Sequence, residues 1–292
     1  MFAEKYINPF TDFGFKKIFG EETNKDLLID FLNELLTDKG KILDLTYLKN
    51  EHLGTKELDR KAIFDLYCEN DKGEKFIVEM QRAKQDYFKD RSLYYVTFPI
   101  QEQAPKGAWN YKLNGVYSIA IMDFVFDDQQ PDKIVHDVRL IEKETQRVFY
   151  ENLRFLYVEI KKFSKPLAAC QSRFEKWLYV LQNLSKLDDI PVGLQEKIFS
   201  KLFRVAEIAR FDPKQLQSYR DSEKNYLDFT ASLSTSFREG KEEGLIEGEM
   251  KGKIEGKMEI ARNAILANLP TEIIVQITGL SVEAIEQLRR NR

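Results

Sequence analysis

The sequence predicts an α/β protein: a mixed β-sheet core flanked by helices over residues 1–165, followed by an α-helical C-terminal region. Three observations carry this reading. Apolar, β-prone runs alternate with helical patterns in the first half. Helical periodicity takes over from about Pro166. A charged stretch punctuated by glycine at regular intervals then leads to the end of the chain.

The elements follow in order. Thr23 is a plausible cap for an amphipathic helix from Asn24 to Leu36, with Leu27, Leu28, Phe31, Leu32, Leu35 and Leu36 at helical spacing. Strand-like runs cover Ile42 to Leu48, Ala62 to Cys68 and Phe76 to Gln81. A helix over Tyr87 to Gln103 ends before Pro105, and further strands are expected at Val116 to Met122, Ile134 to Ile141 and Phe155 to Ile160. Residues 166–235 read as a helical region, with helices over Phe174 to Leu187 and Leu194 to Ala209. A connector around Pro213 joins them to the rest.

In the tail, residues 236–292, Gly240, Gly244, Gly248, Gly252 and Gly256 recur every fourth residue among Glu and Lys. As a helix this costs ~1 kcal/mol per glycine relative to alanine. The bare stripe fits either close packing of two helices or a solvated helical linker. Two short helices around Gly279, the second capped by Ser281, suit a helix-turn-helix and equally a small dimerising hairpin.

Composition narrows the function. With 43% hydrophobic residues the chain can bury a real core. The net charge of −3 advertises no global affinity for nucleic acid, so any such contact must come from a local basic face. Two cysteines, Cys68 and Cys170, make no disulfide framework and fit a reducing cytoplasm. With only His52 and His136 besides, they argue against a zinc cluster. The first residues do not form a signal peptide, and no apolar stretch approaches the ~20 residues of a membrane span. A soluble cytoplasmic protein is expected.

The chemistry concentrates in Lys61 to Gln81. Two β-prone runs flank Asn70-Asp71-Lys72-Gly73-Glu74, and a three-residue loop Asp71-Lys72-Gly73 with Gly73 left-handed closes them as a hairpin. That loop sets Phe64 opposite Met80, Leu66 opposite Val78 and Cys68 opposite Phe76 on one apolar face. The other face pairs Ile63 with Gln81, Asp65 with Glu79, Tyr67 with Ile77 and Glu69 with Lys75. Opposed residues have Cβ atoms roughly 5 Å apart. Two carboxylates would thus face each other among isoleucines, where they repel and are expensive to bury unpaired. A divalent cation relieves that conflict, and oxygen ligands with open positions suit Mg²⁺ or Mn²⁺. The competing reading is a surface pair of acids on a half-exposed hairpin.

Asp65, followed by Glu79-Met80-Gln81, resembles the D…(D/E)-x-K signature of PD-(D/E)XK nucleases. The opening Asn8-Pro9-Phe10-Thr11-Asp12-Phe13-Gly14-Phe15-Lys16-Lys17-Ile18-Phe19 is similar to that of the Rpn (recombination-promoting nuclease) and putative transposase family, as is the style of the tail. The resemblance implies a restriction-endonuclease-like fold and a bacterial, metal-dependent DNA endonuclease linked to recombination or mobile elements. Asp65, Glu79 and Gln81 would be its catalytic residues. Gln81 stands where lysine is usual; it can position a water or a phosphate oxygen but carries no charge. Asp65 and Glu79 would hold the metal, with Glu34 of the first helix as a further acid. Lys16, Lys17, Lys61, Arg82, Lys84 and Arg91 are candidate phosphate contacts. DNA is the expected partner, with no membrane or small-molecule substrate, and a homodimer is expected because double-strand cutting needs two centres. The alternatives are a catalytically weak or inactive DNA-binding protein and an RNA-cleaving enzyme using the same centre.

Overall fold

A computed structural model describes residues 4–49, 51–52, 62–104, 107, 110–126 and 129–290. The chain opens with a capped helix, α1 (Asp12–Phe19). Thr11 accepts the Gly14 N–H at 2.9 Å and donates to the Asn8 carbonyl at 2.8 Å. That pair of hydrogen bonds folds the opening motif back on itself so tightly that a Cβ at Gly14 would lie 2.1 Å from the Asn8 oxygen. Gly14→Ala is therefore expected to destabilise the fold by about 2–4 kcal/mol, as overpacking against rigid backbone does. Thermal denaturation would read this as a clear fall in Tm, and an unchanged Tm would contradict it.

Helix α2 (Lys25–Leu35) follows, then strands β1 (Leu45–Tyr47), β2 (Glu51–His52), β3 (Ala62–Ile63), β4 (Leu66–Asn70) and β5 (Lys75–Gln81). Helix α3 (Phe88–Glu102) crosses over to β6 (Val116–Met122), and β7 (Val135–Ile141) and β8 (Val148–Glu159) complete the strands. The main sheet runs in the order β1-β4-β5-β6-β8-β7. Strands β5, β6 and β8 are parallel and form the centre; the flanking pairs are antiparallel. Every residue of β6 is buried, as expected of a strand covered on both faces.

One face packs against α1, α2 and two later helices, α4 (Arg173–Asn183) and α5 (Lys197–Ala206). Phe19, Phe31 and Trp177 meet there, with ring centroids 5.5–5.8 Å apart, and the Trp177 indole donates to Asp30 of α2 at 2.8 Å. The opposite face carries α3, over Val116, Ala120, Met122, Phe155 and Tyr157. Because Trp177, Phe199 and Phe203 share a core with Phe15 and Val158, the compact unit runs past the boundary expected near 165 and reaches Tyr226.

The N-terminal segment depends on residues far along the chain. Tyr6 bridges Glu207; the Ile7 N–H donates to the Ala206 carbonyl and the Ile208 N–H to that of Lys5, both at 3.0 Å. The long helix α6 (Pro213–Leu266) then contributes Tyr219, whose hydroxyl accepts the Asn8 N–H at 3.1 Å, and Ser222, which accepts the Phe13 N–H at 3.0 Å.

A second unit, residues 227–292, comprises the rest of α6 with α7 (Thr271–Thr278) and α8 (Val282–Arg290). Ala261, Ala264 and Ile265 pack with Ile274 and Ile285 around a turn at Gly279, whose φ of 65° is the left-handed value glycine tolerates. Among the described residues no helix is long and apolar enough to cross a membrane.

Candidate active site

The β4–β5 hairpin forms in the expected register. Leu66 pairs with Val78, Tyr67 with Ile77, Cys68 with Phe76 and Glu69 with Lys75, and Gly73 turns the loop at φ 75°. The ladder stops at Leu66, however. In a continued ladder the Met80 N–H would serve the Phe64 carbonyl; instead Asp65 Oδ2 accepts it at 2.8 Å. The side chain has replaced the backbone acceptor, and the strand leaves the sheet at that point.

Two expectations fail for this reason. Phe64 does not join Leu66 and Cys68 but packs on the other face with Tyr67, Ile77, Tyr95 and Phe98. Ile63 does not pair with Gln81 but with Glu51 in a separate two-stranded sheet, and it is 58% exposed. The acids are thus flanked by the buried Ile77 and by α3, rather than by two isoleucines.

The ladder ends one residue short of Asp65, but with Asp65 bonded to the Met80 N–H its charge still acts on Glu79. Glu79 and Gln81 are each 9% exposed, on the α3 side of the sheet. Burial raises the Asp65 carboxyl above its ordinary range, opposed by the Met80 N–H and Lys16. Burial and then the Asp65 charge push Glu79 up to about 8, against the pull of Arg91 and Gln81.

Gln81 is held from both sides. Its Nε2 donates to Glu79 Oε2 at 2.8 Å, and its Oε1 accepts from Arg91 at 2.5 Å. Arg91, on α3, also lies 3.9 Å from Glu79 and 5.7 Å from the centre of the Tyr95 ring. A positive charge therefore stands one amide away from the acids, beyond an uncharged residue 81.

The other expected residues divide. Lys16 bridges to Asp12 at 2.8 Å within the field of Asp65, and Arg82 lies over the Tyr226 ring while acting on Asp65 as well. Lys84 is exposed in the loop after β5. Lys17 points elsewhere, bonding Glu21 at 2.9 Å and packing over Phe211. Lys61 falls outside the described residues. Glu34, expected at the metal edge, lies in the field of Arg173 on α4. α2 docks by its apolar stripe on α4 and α5, and that turns Glu34 with it.

Asp12, at the first turn of α1, is a further acid that acts on Asp65. Its sequence signal was its place directly after the capping Thr11 of the opening motif. Asp123 was also missed. Its N–H donates to the Gln81 carbonyl at 2.8 Å, and its raised carboxyl sits, mainly through burial, near Lys161 and the Tyr226 hydroxyl.

Two carboxylates offering oxygen donors at a buried, mutually repelling site fit a hard dication, since Mg²⁺ commonly takes one or two carboxylates and fills its shell with water and phosphate oxygens. Among the described residues no group of three or more His, Cys, Asp or Glu side chains forms a complete metal cage. The fit is a two-carboxylate one.

A mixed sheet with parallel central strands, a covering helix on each face and paired acids on a hairpin defines a restriction-endonuclease-like α/β fold. The chain belongs to the family described as PD-(D/E)XK nuclease family transposase, whose model matches residues 9–236. No curated protein and no solved structure matches it. The family is one of nucleases, which generally use divalent metals such as Mg²⁺ and act on DNA.

Proposed function

We propose that the protein is a metal-dependent DNA endonuclease that hydrolyses phosphodiester bonds in recombination or mobile-element activity, working in the cytoplasm as a homodimer. The observation that supports this best is the half-buried Asp65 beside the buried Glu79, with Gln81 clamped next to them. Asp65 and Glu79 would hold Mg²⁺ or Mn²⁺, which when bound lowers the pKa of a coordinated water and neutralises charge on a phosphate.

The remaining work belongs to the chain itself. The Met80 N–H fixes the Asp65 carboxylate. Glu79 and Arg91 fix the Gln81 amide, which can position a water or a phosphate oxygen but cannot take its proton. Arg91 brings the charge that lysine at position 81 would have carried. Lys16 and Arg82 would meet the phosphate backbone, and Lys84 would add a solvent-exposed cation.

The test is supercoiled plasmid incubated with the full-length protein, with Mg²⁺, Mn²⁺ or a chelator, beside an RNA substrate. Nicked and linear DNA should form only with metal, leaving RNA intact. DNA binding with no cleavage under either metal would favour a non-catalytic DNA-binding protein, and preferential RNA cleavage would move the substrate to RNA.

A further inference from the structure

Beyond residue 226, α6 carries an apolar ridge. Ile246, Met250 and Ile254 recur at every fourth residue and are 54%, 61% and 50% exposed. Glu243, Glu247, Lys251 and Glu255 border them along a shallow groove. Three large apolar side chains in a row on a solvated helix mark an interaction surface.

The sequence around the ridge identifies its occupant. Counting outward from Met250, Glu249 mirrors Lys251, Glu247 mirrors Lys253, Glu243 mirrors Lys257 and Lys241 mirrors Glu259. Ile246 mirrors Ile254, Gly248 mirrors Gly252 and Gly244 mirrors Gly256. The exceptions within this span are Leu245 with Glu255 and Glu242 with Met258. The segment is close to a palindrome in which apolar matches apolar and acid matches base.

Such a pattern is self-complementary in one orientation only. Two copies laid antiparallel, with Met250 on the dyad, bring each residue level with its mirror position. Met250 then meets Met250, Ile246 meets Ile254, and each of these acids lies level with a base of the other copy. A parallel pair instead sets glutamate against glutamate and lysine against lysine. The glycines take no part: at about 100° per residue, Gly248 and Gly252 are turned roughly 160° from Met250. A Cβ on any of the five repeat glycines would meet nothing within 4 Å.

We propose that the protein associates with a second copy of itself through antiparallel α6 helices centred on Met250. Ile246, Met250 and Ile254 form the buried strip, while along the two flanks Glu247 and Glu249 of each copy run beside Lys251 and Lys253 of the other, and Glu243 lies level with Lys257. The ridge supplies the attraction; the exposed charge pairs, each weak alone, set the orientation. This specifies the surface behind the dimer of the proposed function but rests on none of the catalytic residues, so loss of cleavage and loss of association are separate results.

Light scattering on the full-length chain at micromolar concentration should give twice the 34.3 kDa chain mass. Met250→Glu should give a monomer with unchanged helical circular dichroism. Replacing Lys251, Lys253 and Lys257 by glutamate should separate the copies, and adding Glu243→Lys, Glu247→Lys and Glu249→Lys to that chain should reunite them. In a Cys170→Ser background, a mixture of Ile246→Cys and Ile254→Cys chains should form the mixed disulfide, while Ile246→Cys alone should not. A monomeric wild type, a dimer indifferent to Met250→Glu, or self-cross-linking of Ile246→Cys would each overturn the proposal.

Discussion

Asp65→Ala is expected to lower metal-dependent plasmid nicking by at least ~10³-fold, a loss of roughly 4 kcal/mol of transition-state stabilisation. The expectation comes from what Asp65 does in the hairpin. It offers one of the two neighbouring carboxylates, and it accepts the Met80 N–H in place of a backbone oxygen. Alanine removes the oxygen donor and also orphans a backbone amide beside the site. Asp65→Asn separates the two effects, because it retains an acceptor for Met80 while losing the charge. Both variants should be inactive, and Asp65→Asn should keep more of the wild-type Tm. Plasmid cleavage by Asp65→Ala at the wild-type rate would end the case for this centre.

Glu79→Gln should have opposite effects on activity and stability. The folded-state carboxyl is held far above its ordinary range, at about 8, by burial and the Asp65 charge. A raised carboxyl supports the fold fully below the usual glutamate range and withdraws that support as pH climbs through 8. In chelator, the wild-type Tm should therefore fall across this window, while that of Glu79→Gln stays flatter. Above it the variant should be more stable by roughly 1–3 kcal/mol, one pKa unit corresponding to about 1.4 kcal/mol. Added Mg²⁺ should restore the wild type and leave the variant unmoved, and the variant should not cut DNA. Parallel pH profiles of the two proteins in chelator would sink the argument.

Local signals in the sequence were faithful where they were strong. Val116 to Met122 is apolar but for Ser118 and forms a strand with those limits. Asp71-Lys72-Gly73 closes the hairpin, and its loop fixes the register of the four pairs from Leu66↔Val78 to Glu69↔Lys75. What alternation could not reveal was the end of the ladder. Phe64 and Ile63 continue the apolar pattern perfectly well, yet a single side-chain oxygen takes the amide that would have kept them in the sheet.

The site was legible to a similar depth. Asp65, Glu79 and Gln81 stand out because acids are rare inside apolar strands. Arg91 was visible only as one cation among several, since its partnership with Gln81 requires α3 to cross the sheet. Glu34 illustrates the converse. A helical wheel says which side of α2 is polar, but the docking of α4, through Trp177 and Arg173 on Asp30, decides what that side faces. Asp12 and Asp123 come from opposite sides of the hairpin in sequence, and no spacing rule links them to it.

The stitching of the N-terminal segment onto Ala206, Ile208, Tyr219 and Ser222 has a consequence in time. On a translating ribosome, residues 5–13 emerge some two hundred residues before the partners that hold them. Until then the amides of Ile7, Asn8 and Phe13 have only water to serve, and the helix that carries Asp12 and Lys16 is not anchored from behind. The β4–β5 hairpin is closed by neighbours in sequence, but the segment leading into α1 gains its bonds to Tyr219 and Ser222 only with α6. The surroundings of Asp65 and Glu79 are thus complete only after the segment that carries Tyr219 and Ser222 has been made.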